Sequence, residues 1–409
     1  MDLSDQVKRW LYDMPWSILV RAPLFTLLAI LFWKFQSQAV CEVMIFGVFV
    51  YSIFHARQGI RVWFNRAGIA FVILLTFIIV TLPLSTSLTL SARDFVKMLP
   101  ELALVFLIPI VFCTRSKLET VLFYSAVGLT FILGYDLIRL VHVLGPDAIA
   151  KAHAFEPFIL NHSNVASMAA GAAFFVLAYF AWKWRNDQMR LGICLLGMAV
   201  DIAYKIVIAS RGPQIAFVVA IGAAGLLLLP GWRRKLLWVL VPVIAAGLIL
   251  IFNQRFFDKV SMKGLCDRDK VWMQSWELAK ERPVLGYGFG KKVFEKVYHS
   301  SNPPASPFKF HHTHEYWLFA LFQHGWAGVL LYASAWVLLM MRLLYYLSTQ
   351  CTVEKKLLPG LIAVLLIFIH FYGLADYPDN IVKLMLLCLI PVTLAVTGLG
   401  EQSNIEHST

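Results

Sequence analysis

HHTHEYWLFALFQHGWAGVLLYASAWVLLMM, residues 311–341, opens with three histidines in four positions, His311, His312 and His314, and then runs apolar from Tyr316 to Met341. At 1.5 Å per residue, those last residues make a helix of about 39 Å, enough to cross roughly 30 Å of hydrocarbon. Before it, from about residue 253 to residue 313, the chain is polar and rich in Arg and Lys. A loop of this length, tied between two spans and closed by histidines, is where a protein of this kind keeps its chemistry.

The same apolar signal recurs along the chain. Of 409 residues, 59% are hydrophobic and only 15% charged, a composition outside the range of soluble domains. Apolar runs near 18–33, 39–54, 67–84, 100–113, 120–141, 165–182, 191–209, 214–230, 236–252, 316–341, 357–374 and 381–399 predict an all-α polytopic membrane protein with about 12 transmembrane helices. The two shortest, 39–54 and 100–113, must recruit flanking residues to span. No internal repeat, low-complexity tract or soluble domain is legible, so residues 1–409 read as one membrane domain with one insertion at 253–313, between the ninth and tenth helices. Lys8 and Arg9 precede the first span without a small-residue cleavage site, and that helix is expected to stay. Six cysteines, only Cys266 among them in the loop, form neither a disulfide framework nor a metal-type pairing.

A formal charge of +12 invites a nucleic-acid reading, but the positive residues are distributed among the connections. Arg57, Arg61 and Arg66, Arg115 and Lys117, Lys183, Arg185 and Arg190, Arg233 to Lys235, and Arg342, Lys355 and Lys356 fall on alternate connections, with Lys8 and Arg9 at the start. The intervening ones hold fewer: Lys34, Arg93 and Lys97, Lys151, and Lys383. The positive-inside rule makes the first set and both termini cytoplasmic. The long loop and the turn Ser210-Arg211-Gly212-Pro213 then face outward. This pattern expresses topology and calls for no nucleic-acid partner.

Within the loop, Arg268 to Lys280 (RDKVWMQSWELAK) places Val271, Trp272, Ser275, Trp276 and Ala279 at helical spacing ahead of Arg282-Pro283 and the glycine-rich 286–290. It reads either as part of a site or as an interfacial helix resting on lipid. A second short helix is expected from Lys291 to Tyr298, followed by a proline-rich stretch that cannot be helical.

Three of these features share the outward side: Arg211, Arg268 and His314. A guanidinium offers a planar fork of donors suited to phosphate, so two arginines at one membrane face suggest a phosphate or pyrophosphate ligand; the alternative is snorkelling to headgroups. A histidine titrates near neutrality and suits removal of a proton from a hydroxyl. The three histidines also read as a metal site or an interfacial cluster, although only Glu315 is near enough in sequence to serve as a fourth ligand. Asp267-Arg268-Asp269 matches Asp-x-Asp only weakly, and its carboxylates are expected to orient Arg268. Asp201 and Lys205, spaced i, i+4, and Asp136 and Arg139, spaced i, i+3, are expected to neutralise each other inside spans. Asp376, at the outward end of the eleventh span, either holds an arginine or His314 or is simply solvated.

These residues resemble the bacterial O-antigen ligases, within the superfamily of O-antigen polymerases and protein O-oligosaccharyltransferases. The family pattern, His-(Asn/Ser/Gln)-x9-Gly-x-x-(Gly/Thr/Tyr), is matched by His314-Glu315, nine residues, then Gly325-Trp326-Ala327-Gly328, with Glu315 departing from the usual amide or hydroxyl. The family's Thr/Ser-Arg-Gly/Ala turn matches Arg211. Its second arginine, with an aromatic four residues on and a proline about fifteen on, matches Arg268 with Trp272 and Pro283, and its aspartate after the eleventh span matches Asp376. The resemblance implies a GT-C-like glycosyltransferase in the inner membrane of a Gram-negative bacterium. It implies transfer of a polysaccharide from undecaprenyl pyrophosphate to a sugar hydroxyl of lipid A-core at the periplasmic face, without metal or other cofactor. Arg211, Arg268 and His314 are then catalytic, and Arg282, His312, Glu315 and Asp376 bind substrate. A polymerase or protein O-oligosaccharyltransferase of the same superfamily, or a transporter of lipid-linked oligosaccharide, are the alternative readings.

Overall fold

The computed structural model describes residues 63–111, 115–145, 163–208, 210–229, 268–301, 310–350 and 352–375, with a few isolated positions beside them. Spans expected near 18–33, 39–54, 236–252 and 381–399, Asp267 and Asp376 lie outside the described residues. Among those residues the regular structure is all helical: α1 (Arg66–Thr81), α2 (Leu88–Val111), α3 (Arg115–Leu144), α4 (Ser163–Lys183), α5 (Gln188–Ile208), α6 (Arg211–Leu228), α7 (Arg268–Glu281), α8 (Lys291–Ser300), α9 (Tyr316–Thr349) and α10 (Val353–Ala375). Six stretches, Arg66–Leu84, Leu118–Val143, Ser163–Lys183, Gln188–Ile208, Tyr316–Thr349 and Val353–Leu374, are long and apolar enough to cross a membrane, and α6 is a shorter apolar helix.

Why the bundle forms around α4 is legible in its residues. Ala166, Ala169, Ala170, Gly171, Ala172 and Ala173 are small, and small side chains let backbones approach closely where water cannot drive association. Accordingly α4 packs against α3, α5, α6 and α10 at once. Elsewhere the ends are set by local chemistry. Asn65 caps α1, its side-chain oxygen accepting from the N–H groups of Ala67 at 3.0 Å and Gly68 at 3.1 Å, and Pro83 sits in the one-turn 3-10 helix that closes that segment.

The helices sort their connections to two ends. At one end a carboxylate gathers three partners: Glu119 accepts from Arg115 Nε at 2.9 Å, from Tyr179 Oη at 2.5 Å and from Lys183. Arg115 also reaches the backbone oxygen of Glu354 at 3.3 Å, and Leu228 packs on Gly360, so the starts of α3 and α10 and the ends of α4 and α6 lie together. These are the connections rich in Arg and Lys. Removing the acceptor strands partly exposed cations around a buried site, so Glu119→Ala is expected to cost about 1–2 kcal/mol of stability, seen as a lower melting temperature in detergent at unchanged folded spectrum. At the opposite end lie the start of α6, the end of α10 and the start of α9, where Gly373 meets the Tyr316 side chain. Arg211 is therefore separated from the basic connections by the full length of its helix.

Two expected intramembrane pairs differ in outcome. Asp136 and Arg139 approach to 4.0 Å. Asp201 instead accepts from Thr130 Oγ1 at 3.0 and 3.2 Å, while Lys205 Nζ donates to the carbonyls of Ser167 and Pro213, each at 3.2 Å. Burial in a helical bundle supplies each charge with nearer polar partners than the other, and the two act through space only.

Candidate functional site

The apolar run after the histidines is not one straight helix. Gly325 has φ 60° and ψ −169°, a region open essentially to glycine alone, and it breaks α9 nine residues after its start. Along a straight axis Tyr316 and Tyr332 would stand about 24 Å apart. Their rings are 5.2 Å apart, centre to centre, so Tyr316–His324 folds back on the long segment that begins at Trp326. The membrane-crossing length is then supplied by the part after Gly325.

A break deep in an apolar protein leaves backbone groups that must find partners. The loop after α7 supplies them. Trp326 N donates to Pro283 O at 2.7 Å and Ala327 N to Val284 O at 3.2 Å; in return Phe322 O accepts from Tyr287 N at 2.8 Å and Gln323 O from Gly288 N at 3.0 Å. The two helical bonds from Trp326 to Phe322 and from Ala327 to Gln323 are thus replaced by four bonds to the loop. Gly286, at φ +67°, makes this approach possible: a Cβ there would meet Gln323 C, Phe322 O and His324 N within 2.6 Å. The carbonyl of Tyr287 is held in turn by Thr86 N and Oγ1, both at 2.9 Å, and Asp94 of α2 caps α8 by accepting from Lys292 N at 3.1 Å. The glycine-rich stretch, expected only to terminate a helix, is the clamp that seats the loop on the bundle.

The clamp fixes what precedes it. Val271, Leu278, Tyr287, Val293, Phe294, Tyr298, Phe310, Phe319 and Phe322 form one buried cluster joining α7, α8 and the short first part of α9. Arg268, at the first position of α7 and partly buried, is one turn from Val271. His314 follows Phe310 closely, the two rings 5.8 Å apart. The cluster therefore places the start of α7 and the histidine turn on one rigid support.

His314 itself has φ 55°, the left-handed region that few non-glycine residues adopt, at a cost on the order of 1 kcal/mol. Its neighbours hold it there. His314 N donates to Nδ1 of the buried His312 at 3.1 Å, and the two imidazoles lie 4.1 Å apart. An Nδ1 that accepts carries no proton, so His312 presents Nε2–H, and its role is to shape the backbone beneath His314. Thr313 Oγ1 donates to Glu315 O at 2.5 Å, closing the turn. His311 points elsewhere, its exposed ring meeting Glu295 Oε1 at 2.7 Å beside Lys292. Glu295 is held below the usual carboxylate range: burial raises it, and its bonds to Lys292 and His311 outweigh that.

Glu315 is the N-cap of α9, its carboxylate accepting from Trp317 N at 3.0 Å and from Leu318 N. Burial pushes its pKa up against those two bonds. The cap accounts for the sequence departure. Asn and Ser, usual at this position in the resembled family, are favoured N-cap residues, and a carboxylate accepts the same N–H groups. Arg282, just past α7, is exposed and stacks its guanidinium 5.3 Å from the centre of the Tyr287 ring, whose hydroxyl donates to Glu281 at 2.5 Å.

Arg211 is the first residue of α6, with Pro213 in the first turn, where its missing N–H costs nothing. Ser210 Oγ pairs with Asn164 of α4, Gln214 Nε2 donates to Lys205 O at 3.0 Å, and Lys205 ties Pro213 to Ser167. Three helices thus fix the turn that carries Arg211. Lys205→Met removes one net hydrogen bond of about 1 kcal/mol from the start of α6. Hydrogen exchange at the Gln214 amide is expected to quicken about fivefold, with Lys205→Arg nearer the native rate.

The structure thus assembles Arg211 at the bundle end shared with the start of α9, and Arg268, His312, His314 and Glu315 around one cluster. What sequence reading left out was the support: Asp94, Thr86, Gly286 and Tyr287. The signal present for it was the pair of glycines, Gly286 in a segment read as a turn and Gly325 in the resembled family's pattern at the head of a span. Residues 202–333, from within α5 into α9, match the family model described as O-Antigen ligase. No curated protein gives a significant match to the chain. The matched segment contains Arg211, Arg268, His314 and the Gly325 break. The match covers about a third of the chain and supports a place in the O-antigen ligase and polymerase superfamily.

Proposed function

We propose that the chain is an O-antigen ligase, transferring polysaccharide from undecaprenyl pyrophosphate to a sugar hydroxyl of lipid A-core, at the periplasmic face of the inner membrane of a Gram-negative bacterium. What supports this reading is that α6 and α7 each begin with an arginine and that the strained His314 turn leads into α9, all inside the matched segment, with the starts of α6 and α9 at the bundle end away from the basic connections. In this reading about twelve spans hold both termini in the cytoplasm.

The chemistry follows from the groups. His314 takes the proton of the acceptor hydroxyl, and the oxygen attacks the anomeric carbon of the donor. The bond from that carbon to the pyrophosphate oxygen breaks with its electron pair, so the configuration inverts. Arg211 and Arg268 hold the pyrophosphate and stabilise the charge it gains; since it is already a good leaving group, fixed positive charge suffices and no metal is needed. Helix N-termini at α6 and α7 add partial positive charge in the same sense. In this reading Arg282 and Asp376 bind substrate, while His312 and Glu315 act on it through the turn that they shape.

A strain lacking this protein tests the assignment. Loss of polymer from lipid A-core, with full-length polymer accumulating on its lipid carrier, is the expected result. Donor limited to single repeats would identify a polymerase. Unligated polymer trapped on the cytoplasmic side would identify a transporter.

A further inference from the structure

We infer that the turn Val284-Leu285 is seated in the bilayer, in the leaflet at the loop end, forming one lipid-facing surface with Trp326 and Leu330. The loop then lies on the membrane instead of standing clear of it.

Val284 is 64% exposed and Leu285 38%, although both are apolar and belong to a segment that is otherwise firmly tied down. An exposed apolar pair on a mobile tip calls for little explanation; one clamped by four backbone bonds to a helix break is held outward by the fold. Its neighbour across those bonds identifies what covers it. Ala327 N binds Val284 O and Trp326 N binds Pro283 O, so the turn lies against the first residues after the break. From there the long part of α9 presents Trp326, Leu330, Val337 and Met341, 48–62% exposed, on one face, with Ala335, Trp336, Leu339 and Leu343 buried on another. On a helix long and apolar enough to span, that exposed row faces lipid. Val284 and Leu285 prolong the row beyond the helix end.

Polar groups beside the turn fit a boundary position. Trp326 stands where the span begins, the depth at which tryptophan is enriched. Glu281 and Arg282 flank the apolar pair, and Lys280 lies 5.9 Å from the centre of the Trp276 ring in the preceding helix turn. Long basic side chains at that level reach the headgroup phosphates while their stems stay apolar. Transfer of Val284 and Leu285 out of water would stabilise the seated loop, and the clamp prevents the alternative of turning them inward. The inference stands apart from the proposed reaction.

Photo-crosslinking in the full-length protein tests it. A benzophenone amino acid is placed singly at Val284, at Leu330 as the lipid-facing reference and at Lys296 as the exposed loop reference. Each variant is irradiated in nanodiscs of phosphatidylethanolamine and phosphatidylglycerol, and lipid adducts are quantified by mass spectrometry. Adduct yield at Val284 of at least half that at Leu330, with Lys296 at least fivefold lower than Leu330, is expected. A yield at Val284 below half that of Leu330 would overturn the inference, as would a yield at Lys296 equal to that at Val284.

Discussion

His314→Ala is expected to lower polymer transfer about 10²- to 10⁴-fold, the range associated with loss of a positioned general base. The protein should accumulate and melt much as the native form does, because alanine, which also carries a Cβ, leaves the left-handed backbone strain as it is, and the bond from the backbone N–H of position 314 to His312 Nδ1 is kept. His311→Ala supplies the contrast. That ring pairs with Glu295 at an exposed surface, so activity should stay within about twofold of native, as for a surface pair of little energetic weight. Rates are compared at equal protein levels with saturating acceptor. Equal losses at both positions would mean that the cluster matters as a whole and that His314 has no separate role.

Gly325→Ala is expected to be the most damaging change that removes no functional group. The φ and ψ at Gly325 are essentially confined to glycine, and an added Cβ would also collide with the carbonyl of Val284. Strain of about 1–3 kcal/mol is relieved only by straightening α9 or by releasing the loop, and either moves the histidine turn relative to α7. Displacement on the order of 1 Å at a site of this kind costs about 10²-fold in rate, so activity should fall by that much even in the fraction that folds. Faster amide exchange at Tyr287 and Gly288, whose N–H groups bind the broken helix, should accompany it. Gly192→Ala is the matching control: nothing lies within 4 Å of a Cβ there, in mid-helix, so that protein should be as stable as native or slightly more so.

These two expectations mark what could be read in the chain and what could not. Long apolar runs announce their own helices, and α1, α3, α4, α5, α6 and α10 fall within a few residues of the runs that predict them, because twenty apolar residues have few other stable solutions. Arg268 to Glu281 forms the expected helix for a different reason, helical spacing in a polar segment, its Val271, Ser275, Leu278 and Ala279 all buried on one side. The break at Gly325 was not legible. Hydropathy counts side chains, and the apolar run continues through the break unchanged; what divides it is a backbone conformation stabilised by residues 283–288, some forty positions earlier. Long-range backbone pairing of this kind leaves no periodicity. The glycines at its two faces are its trace: Gly286 reads as a turn residue, and Gly325 as the glycine of the resembled family's pattern, and neither reading says that the helix breaks there.

Site residues show the same division. Arg211, Arg268 and His314 are legible because a guanidinium suits phosphate, an imidazole suits removal of a proton, and all three fall on the spacing of the resembled family's pattern. Glu315 was legible as a departure from a pattern, but its work as a helix cap is visible only once the N–H groups of Trp317 and Leu318 are seen on its carboxylate. Asp201 and Lys205 looked like a pair on spacing alone. The fold instead gives Asp201 to α3 and Lys205 to the start of α6, and in doing so makes a buried lysine part of what holds Arg211 in place.

Transfer by the purified protein decides between a ligase and its alternatives. With the protein in proteoliposomes, a lipid-linked polysaccharide donor and lipid A-core are supplied in excess chelator, and both glycolipids are resolved by gel and mass spectrometry. A ligase with His314 as its base gives full-length polymer joined to lipid A-core, undecaprenyl pyrophosphate released in equal amount, and neither product from His314→Ala. Donor chains that lengthen while lipid A-core stays unmodified, or transfer that His314→Ala sustains at the native rate, would contradict it.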